Sequence, residues 1–292
     1  MAMLDVGVVI VNYNTRDLLR DCLASLLESR GVSFKVCVVD NGSGDGSADM
    51  VRKEFPEVLL ITSPFNGGYA YANNLGLKAL GFNPGAISKD AARYALLLNP
   101  DTIVPPEALA KMVRFMDSHP QAGVAGPKLI RQDGSLDLAC RRSFPTPEVA
   151  FYRMIGLSKL FPRHPRFARY NLTYLDPDKT AEVDSVVGAF MMVRREAIAD
   201  AGLLDESFFL YGEDLDWALR IKKAGWKVYY YPEVTVLHYK RVSSQKNPRA
   251  RDEFFRAMLI FYRKHYASQT PWWLDKLVKA GIYLWWGLSK IS

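Results

Sequence analysis

Four apolar runs in the first hundred residues constrain the fold most strongly, because each stops at a cluster of small polar residues. The runs are VGVVIV, FKVCVV, VLLIT and YALLL, and their polar clusters begin at Asn12, Asp40, Ser63 and Asn99. Between the first two runs, apolar residues recur at helical spacing over residues 15–30, with Asn14 or Thr15 as the predicted helix cap. Continuous apolar strands alternating with helices predict an α/β fold with a Rossmann-like mixed, mostly parallel sheet and helices on both faces.

The polar clusters are expected to lie together at one edge of that sheet. Right-handed crossovers bring the C-terminal ends of parallel strands to the same edge, where ligands of open α/β sheets bind. Singly, the sequences at 40–42 and 66–68 are common turns, but their convergence favours a cleft. The residues placed around this cleft are Tyr13, Asp40, Asn41, Asn66, Asn73, Asn99 and Asp101. The aromatic ring could stack on a base, and a carboxylate could hold a divalent cation against phosphates.

Two common nucleotide-binding motifs are excluded. The stretch DNGSGDGS at 40–47 is rich in glycine, but it does not satisfy GxGxxG and it follows the second strand rather than the first. The sequence contains no Gly-Lys-Ser/Thr triplet, so a Walker loop is absent too. Recognition of the ligand is therefore expected to depend on aromatic, amide and carboxylate side chains.

Length, cysteine content and charge set broader bounds. A chain of 292 residues predicts one large domain, or a domain with an appendage. Its three cysteines are odd in number and lack paired spacing, which favours a reducing compartment, and its first residues resemble a strand rather than a signal peptide. We therefore expect a cytoplasmic protein.

The net charge of +7 has two open interpretations. Basic residues are concentrated at Arg141-Arg142, at 163–169 and at 240–251. Such clusters indicate either a solvated surface or an anionic partner. Because they do not interleave with aromatic residues on a recognisable module, nucleic acid is not expected to be that partner.

The second half begins with a segment of weak periodicity. Residues 140–180 are predicted to be irregular with short helices, and 183–198, which contains Gly188, to be a strand leading into a helix. The stretch WKVYYYPEVTVLH is predicted to form one or two strands that end at His238.

Three acids, Glu213, Asp214 and Asp216, are predicted to open a further helix. Asp216 is four residues before Arg220, which predicts a structural ion pair on the surface. Glu213 and Asp214 lie in the first turn, where carboxylates often compensate the helix dipole. The alternative is that one of them acts in catalysis, and the pattern alone leaves both interpretations open.

Taken together, the motifs resemble those of an inverting family 2 glycosyltransferase with a GT-A fold, and most closely its rhamnosyltransferase-like branch. The resemblance extends from residue 5 to about residue 245 and rests on VVIVNYN, VVDNGSGDGS, NGGYAYANN, LLLNPD, VVGAFMMVRR, GEDLDWALR and a histidine after the last strand. It implies a catalytic domain over residues 1–245 and a C-terminal helical segment over 246–292.

The resemblance also implies roles for individual residues. The nucleotide sugar would be bound by Val11 and Tyr13 around the base, by Asp40 and Asn41 at its polar edge, and by Asn66, Gly68, Asn73, Asn99, Asp101 and Gly188. Residues 99–101 would be the "DxD" element, of which only the last acid is present, and Asn73 stands where the family often has an arginine. Asp101 and His238 would hold Mg²⁺ or Mn²⁺. Asp214 would be the general base, with Glu213 as the alternative.

The C-terminal segment carries four of the six tryptophans in PWWLDKLVKAGIYLWWGLSKIS. Its uncharged run over 280–289 is about half the roughly 20 residues that a spanning helix needs. Tryptophan with lysine favours an amphipathic helix in a membrane interface, here the inner face of the cell membrane. The alternatives are docking on the catalytic domain or burial in a homodimer.

The preferred function is metal-dependent transfer of a sugar, with rhamnose as a candidate, from a dTDP- or UDP-linked donor to a glycan or lipid-linked acceptor during cell-surface polysaccharide synthesis. One alternative is a sugar nucleotidyltransferase, although no glycine-rich basic loop follows the first strand. The other is a non-catalytic nucleotide-sugar-binding protein.

Overall fold

The computed structural model of the protein describes residues 3–85, 88, 91–239 and 249–290. The predicted domain boundary at residue 245 and most of the basic stretch 240–251 lie outside these residues. The division into residues 1–245 and 246–292 therefore stays a prediction.

A central mixed sheet organises the described chain. Its strands are β1 Val6–Asn12, β2 Phe34–Asn41, β3 Leu59–Ser63, β4 Tyr94–Leu98, β5 Thr102–Ile103, β6 Ala122–Ile130, β7 Ala181–Val183, β8 Phe190–Arg194 and β9 Lys227–His238. Their order is β3-β2-β1-β4-β8-β6-β9-β5, and β7 also pairs with β9. The strands β3, β2, β1 and β4 are mutually parallel, as the four apolar runs predict. The polar ends of these strands therefore share one edge of the sheet.

Helices connect and cover these strands. They are α1 Arg16–Leu27, α2 Ser47–Glu54, α3 Tyr69–Ala79, α4 Ala108–Ser118, α5 Pro147–Met154, α6 Leu157–Leu160, α7 Arg195–Ala201, α8 Glu213–Lys223, α9 Ala250–His265 and α10 Trp272–Ser289. The predicted α/β architecture with C-terminal helices is confirmed, and residues 140–180 do contain only short helices.

The first helix shows how the sequence pattern becomes packing. Leu19, Cys22, Leu23 and Leu26 lie on one face of α1 and are fully buried. Thr15 occupies the N-cap position, but its hydroxyl donates to Asn12 Oδ1 at 2.7 Å instead of capping the helix. The backbone N–H of Arg16 donates to Asp45 Oδ2 at 2.9 Å, so the cap comes from the loop after β2.

One strand differs in detail from the prediction, and another decides between two predicted alternatives. The strand expected over 183–198 is confined to β8, so Gly188 lies in the loop before it, where a Cβ would stand 3.1 Å from the Tyr69 hydroxyl. The second, β9, is a single strand of 12 residues despite Pro232. Its register against β6 shifts between Pro127 and Lys128, and this irregularity accommodates the residue without an N–H.

The C-terminal helices pack against each other through Phe255, Leu259 and Ile282. Within the described residues, none of the helices is both long enough and apolar enough to span a membrane.

Candidate active site

A cavity of about 540 Å³ opens at the sheet edge where β1 and β4 end. Ten of the residues predicted for the site line it: Val11, Tyr13, Asn66, Gly68, Asn99, Asp101, Gly188, Glu213, Asp214 and His238. Its volume is within the range of ordinary small-molecule sites. The fold therefore gathers residues that are far apart in sequence around one concave surface.

Three predicted site residues, Asp40, Asn41 and Asn73, are buried and do not line this cavity. Asp40 accepts from Asn12 Nδ2 at 2.9 Å and from the backbone N–H of Ser43 at 3.2 Å, so it joins the ends of β1 and β2. The Asn73 side chain donates to the Tyr69 carbonyl at 2.9 Å within α3. Both contacts stabilise the loops that border the cavity.

Asn41 cross-links the two glycine-containing loops. Its Nδ2 donates to Asn66 Oδ1 at 2.9 Å and to the Gly68 carbonyl at 3.2 Å, while its Oδ1 accepts from the Gly67 N–H at 3.0 Å. Gly68 is the N-cap residue of α3 and has a φ of +92°. A Cβ at this position would lie 2.6 Å from the Phe209 carbonyl oxygen. A side chain at position 68 is therefore excluded both by backbone conformation and by space.

Tyr69 fixes the floor of the cavity. Its hydroxyl lies 3.0 Å from Asn99 Oδ1 and 3.0 Å from the Gly188 carbonyl oxygen, and it can donate to one of them at a time. Burial, followed by the negative charges of Glu213 and Asp214, raises the pKa of Tyr69 well above its usual value. The residue thus remains a neutral donor that holds the loops after β4 and before β8 together.

A row of three buried side chains closes one end of the cavity. His238 Nδ1 lies 3.0 Å from Asp137 Oδ2, and His238 Nε2 lies 3.4 Å from Asp101 Oδ1. Burial acts to lower the pKa of His238, but the hydrogen bonds and charges of the two carboxylates outweigh it and raise the pKa to about 9. The surroundings therefore favour a positive charge at this point.

This donor set fits a divalent cation that is shared with a substrate. Within the described ranges, no group of three or more His, Cys, Asp or Glu side chains forms a complete metal cage. Asp101 and His238 instead offer one carboxylate oxygen and one imidazole nitrogen at the cavity wall. Mg²⁺ is commonly bound in this way, by few protein ligands together with substrate phosphates and water. A carboxylate behind the imidazole, as Asp137 is here, is the usual partner of a metal-binding histidine.

Asp214 is held at the N-terminus of α8 by a buried ion pair. Arg142 Nη2 donates to Asp214 Oδ2 at 2.7 Å, and the Gly188 N–H donates to the same oxygen at 3.1 Å. Burial acts against the charge on Arg142, but the Asp214 carboxylate raises the pKa of the guanidinium. The carboxylate therefore has a fixed direction at the cavity wall.

Glu213, its neighbour, has a different environment. Burial, reinforced by the negative charge of Asp214, raises the pKa of Glu213 to about 8. Its Oε2 is buried and has no hydrogen-bond partner among the residues that the structure describes. The two adjacent carboxyl groups thus have different surroundings, because Asp214 accepts hydrogen bonds from Arg142 and the Gly188 N–H whereas Glu213 Oε2 has no such donor among the described residues. Differences of this kind separate acid and base roles in enzymes.

One prediction about charged residues was wrong, and for the Arg141-Arg142 pair one of the two open interpretations, the solvated surface, does not hold. Asp216 pairs with Arg220 as expected, at 2.8 Å, but the aspartate is fully buried rather than on the surface, and Lys264 and His265 of α9 also contact it. The Arg141-Arg142 pair is buried as well. Arg141 donates to the carbonyls of Leu175 and Asp176, so it satisfies backbone groups inside the fold instead of forming a solvated surface.

Sequence reasoning missed Asp137, and it did not give Arg142 a site role. Asp137 follows a turn after β6 in the stretch QDGSLDLAC, which carries no chemical motif. Arg142 was recognised only as part of a basic cluster. No local sequence pattern could have identified either residue, because each contacts a partner that is distant in the chain. Asp137 is 101 residues from His238, and Arg142 is 72 residues from Asp214.

Comparison with known proteins points to one enzyme class. A family profile described as "Glycosyltransferase like family 2" matches residues 4–257. An N-acetylglucosaminyl-diphospho-decaprenol L-rhamnosyltransferase of Mycobacterium tuberculosis is 31% identical over 242 residues, covering 82% of this chain and 78% of that protein. Rhamnosyltransferase WbbL of Escherichia coli K12 is 26% identical over 239 residues, covering 80% of this chain and 83% of that protein.

The fold has solved counterparts among GT-A glycosyltransferases. The crystal structure of GalNAc-T7 with UDP, GalNAc and Mn²⁺ is similar, with a TM-score of 0.59 and 15% sequence identity. The similarity covers 92% of this chain and 52% of that one, so the chain spans about half the length of that protein. The predicted GT-A fold is thereby confirmed.

Proposed function

The chain belongs to the glycosyltransferase family 2-like proteins, and we propose that it transfers a sugar from a nucleotide-diphosphate donor to an acceptor hydroxyl with inversion at the anomeric carbon. The single observation that carries this proposal is the cavity itself, which brings the Asp101–His238 pair and the Glu213–Asp214 pair to one surface. A cation-binding pair suits the leaving diphosphate, and a carboxylate suits the attacking hydroxyl.

The proposed donor is a dTDP- or UDP-linked sugar, and rhamnose is the first candidate. Two rhamnosyltransferases are among the relatives, one of them 31% identical. Val11 and the half-buried Tyr13 line the cavity beside Asn66, and the Tyr13 ring offers a face for the base. Asn41 has its polar atoms engaged by residues 66–68, so reading a base edge requires that it exchange one of these hydrogen bonds.

Asp101 and His238 would hold Mg²⁺ or Mn²⁺. A divalent cation at this point supplies positive charge that stabilises a departing diphosphate. Asp137 holds the imidazole by its Nδ1, which directs Nε2 toward Asp101 and the cavity. The tautomer with hydrogen on Nδ1 leaves a lone pair on Nε2 for ligation.

Asp214 is the proposed general base. As the acceptor oxygen bonds to the anomeric carbon, the bond from that carbon to the diphosphate oxygen breaks on the opposite side of the sugar ring. The electron pair of the broken bond leaves with the diphosphate, and the proton of the acceptor hydroxyl goes to Asp214. Arg142 and the Gly188 N–H position this carboxylate. Glu213 is protonated near neutral pH, since its pKa is about 8, and is therefore the weaker candidate.

The proposed acceptor is a glycan or a lipid-linked sugar used in cell-surface polysaccharide synthesis. The name of the mycobacterial relative specifies an acceptor on a diphospho-polyprenol. We further propose a cytoplasmic enzyme that associates peripherally with the inner face of the cell membrane through its C-terminal segment. A homodimer formed by that segment is the competing arrangement.

Calorimetric titration tests the proposal. Nucleotide sugars and nucleoside diphosphates are titrated, with and without Mn²⁺, into wild type, Asp101→Ala and Asp214→Asn. We expect one nucleotide class to bind in a metal-dependent manner, Asp101→Ala to lose this binding and Asp214→Asn to keep it while losing turnover. Failure of every nucleotide to bind wild type under both conditions would contradict the proposed function.

A further inference from the structure

Most of the exposed large apolar side chains of the described residues lie on two helical elements that also contribute to the cavity wall. Those on the two elements form a surface in two parts, which we call the apolar rim. One part is on α5–α6 and contains Phe151, Met154, Ile155, Leu160 and Phe161; the other is on α10 and contains Trp273, Leu277, Leu284 and Leu288. Contiguous apolar surface of this kind marks interaction sites in soluble proteins.

The α10 part is a single stripe along the helix. Its members recur at intervals of about one or two helical turns, and their exposures are 53% for Trp273, 60% for Leu277, 66% for Leu284 and 56% for Leu288. The opposite face, with Ile282, packs on Phe255 and Leu259 of α9. The helix therefore already has a core-facing side, and the exposed stripe is a second apolar face that packing within the described residues does not explain.

The two parts of the rim are neighbours. A Cβ added to Gly281 of α10 would lie 3.9 Å from Met154 Cε of α5. Leu160 of α6 is 70% exposed and Phe161, which follows, is 45% exposed, so the apolar surface extends beyond this contact. Position 281 of α10 therefore lies within van der Waals reach of Met154, so the two parts of the rim adjoin each other.

The same elements also line the cavity. Ala150 and Arg153 of α5 contribute to its wall from one side, and Trp285 of α10 contributes from another. Glu213 and Asp214 line the same cavity. The helices that carry the rim therefore also form part of the wall of the cavity that holds the proposed catalytic carboxylates.

The charge around the rim is predominantly basic. Exposed cations flank both parts: Arg153, Lys159 and Arg163 on the α5–α6 side, and Lys276 on α10. Lys290 at the end of α10 is also exposed, but it pairs with Asp252 at 3.5 Å. The nearby acids are neutralised internally, since Asp275 pairs with Lys279 at 2.8 Å and Glu148 pairs with Arg166 at 2.8 Å. An apolar surface fringed by lysine and arginine complements the interface of a bilayer that contains anionic lipids.

We propose that the apolar rim docks on an anionic phospholipid bilayer, with α5–α6 and α10 inserting together, so that the cavity opens at the membrane surface. This inference rests on the proposed function and deepens it, because the acceptor is then a lipid-anchored molecule whose sugar enters the cavity from the bilayer side. The stripe on α10 lies beyond residue 257, where the family match ends, so this half of the surface is a feature of this chain rather than of the matched domain.

Vesicle sedimentation of the full chain tests the proposal. The probes are phosphatidylcholine vesicles with and without phosphatidylglycerol. Two double variants are compared with the wild type. One combines Leu277→Glu and Leu284→Glu on α10, and the other combines Leu160→Glu and Phe161→Glu on the α5–α6 part. We expect wild type to bind the anionic vesicles, salt to weaken binding, and each pair of substitutions to reduce partitioning by at least about tenfold.

Met3→Glu is the matched control. Met3 is 45% exposed and precedes β1, at the sheet edge opposite the cavity. Its substitution adds one negative charge away from the rim, against the two charges of each rim variant. Its vesicle binding is expected to equal that of wild type. Because all substituted residues are exposed, thermal unfolding is expected to be unchanged, which separates loss of binding from loss of folding.

Three outcomes would overturn the inference. The wild type does not bind anionic vesicles, or the α5–α6 variant binds them as well as the wild type does. In the third, the wild type is a dimer that binds no vesicles and that dissociates when Leu277→Glu and Leu284→Glu are introduced. The last result would assign the rim to a second copy of the chain. Nucleotide binding measured by calorimetry on the same preparations distinguishes the failures. If it persists without vesicle binding, the proposed function stands and only the docking surface is wrong.

Discussion

Arg142 Nη2 and Asp214 Oδ2 lie 2.7 Å apart with both side chains buried, so the proposed general base is one half of an internal ion pair. The pair joins the segment after β6 to the first turn of α8. Removing one partner of a buried pair leaves an uncompensated charge, which is far more costly than replacing both partners by neutral groups. This asymmetry gives the pair a measurable signature.

Arg142→Met is expected to lower the free energy of unfolding by about 3–5 kcal/mol, because it leaves Asp214 buried without its cation. Arg142→Met combined with Asp214→Asn is expected to recover most of this loss, since no buried charge remains. Urea denaturation of the two single variants and the double variant measures the effect. If the loss of unfolding free energy in the double variant equals the sum of the losses in the two single variants, the two residues are not coupled.

Asp214→Asn is expected to reduce turnover by about 10²–10⁴-fold while donor affinity is preserved, because the amide cannot accept the acceptor proton. The measurement is kcat for sugar transfer, together with the calorimetric Kd of the donor. A variant that keeps wild-type kcat would exclude Asp214 as the base.

Glu213→Gln separates the two neighbouring acids through the pH dependence of kcat. The pKa of Glu213 is raised to about 8, so its side chain is protonated below that pH and gains a negative charge as the pH rises through 8. If Asp214 is the base, the neutral glutamine mimics protonated Glu213, and turnover at pH 7 stays within about tenfold of wild type.

Above pH 8, we expect wild-type turnover to fall, because ionised Glu213 adds negative charge at the cavity that binds the diphosphate. Glu213→Gln should lack this decline. The opposite profile, in which wild-type turnover rises through pH 8 and Glu213→Gln is inactive, would transfer the role of base to Glu213.

Asp137→Asn tests the residue behind the proposed metal ligand. Loss of the carboxylate that orients a ligating histidine typically weakens metal binding by about 10–100-fold. We expect a loss of this size in Mn²⁺ affinity, measured by electron paramagnetic resonance in the presence of the nucleoside diphosphate. Asp133→Asn is a suitable control, because Asp133 lies in the same segment and its carboxylate accepts from the N–H and hydroxyl of the exposed turn residue Ser135. Equal Mn²⁺ affinity in both variants would refute the role of Asp137.

Asp216 links the catalytic domain to α9 through a cluster that should be sensitive to acid. Burial acts to raise the pKa of Asp216, but hydrogen bonds from His265 and Lys264 and the charge of Arg220 outweigh it and lower the pKa to about 2. Because the unfolded-state pKa of an aspartate is about 3.9, the contribution to stability is fully present above that pH and is lost as the pH falls toward 2.

Asp216→Asn is therefore expected to destabilise the protein by about 2–3 kcal/mol at pH 7 and to flatten the dependence of stability on pH between 4 and 2. Denaturation midpoints across that range give the comparison. Asp49→Asn removes an exposed ion pair with Arg52 and should change stability by less than about 0.5 kcal/mol. An effect of Asp216→Asn as small as that of the control would contradict the cluster's role.

The sequence predicted the elements whose signals are local. The parallel unit of β1 to β4 follows from continuous apolar runs, and α1 follows from apolar residues at helical spacing. The convergence of Tyr13, Asn66 and Asp101 follows in turn, because parallel topology fixes which ends of the strands meet. The acids of α8 were located correctly too, since a helix start has its own sequence signature.

The burial of Asp216 and the partners of Asp214 and His238 could not be predicted in the same way. Asp216 and Arg220 have the spacing of a surface pair, and only the position of α9 encloses them. Asp137 and Arg142 come from a region of weak periodicity, where neither spacing nor residue type indicates which distant side chain they will meet.

The sequence by itself thus determined the architecture, the edge of the sheet that carries the cavity, and most of the residues around it. Hydrophobic periodicity and turn chemistry act over a few residues, so they are readable without coordinates. Only the tertiary structure decided which carboxylate is ion-paired, which is protonated, and which histidine nitrogen faces the cavity. These properties depend on burial and on charges brought together across the chain, and no local pattern records them.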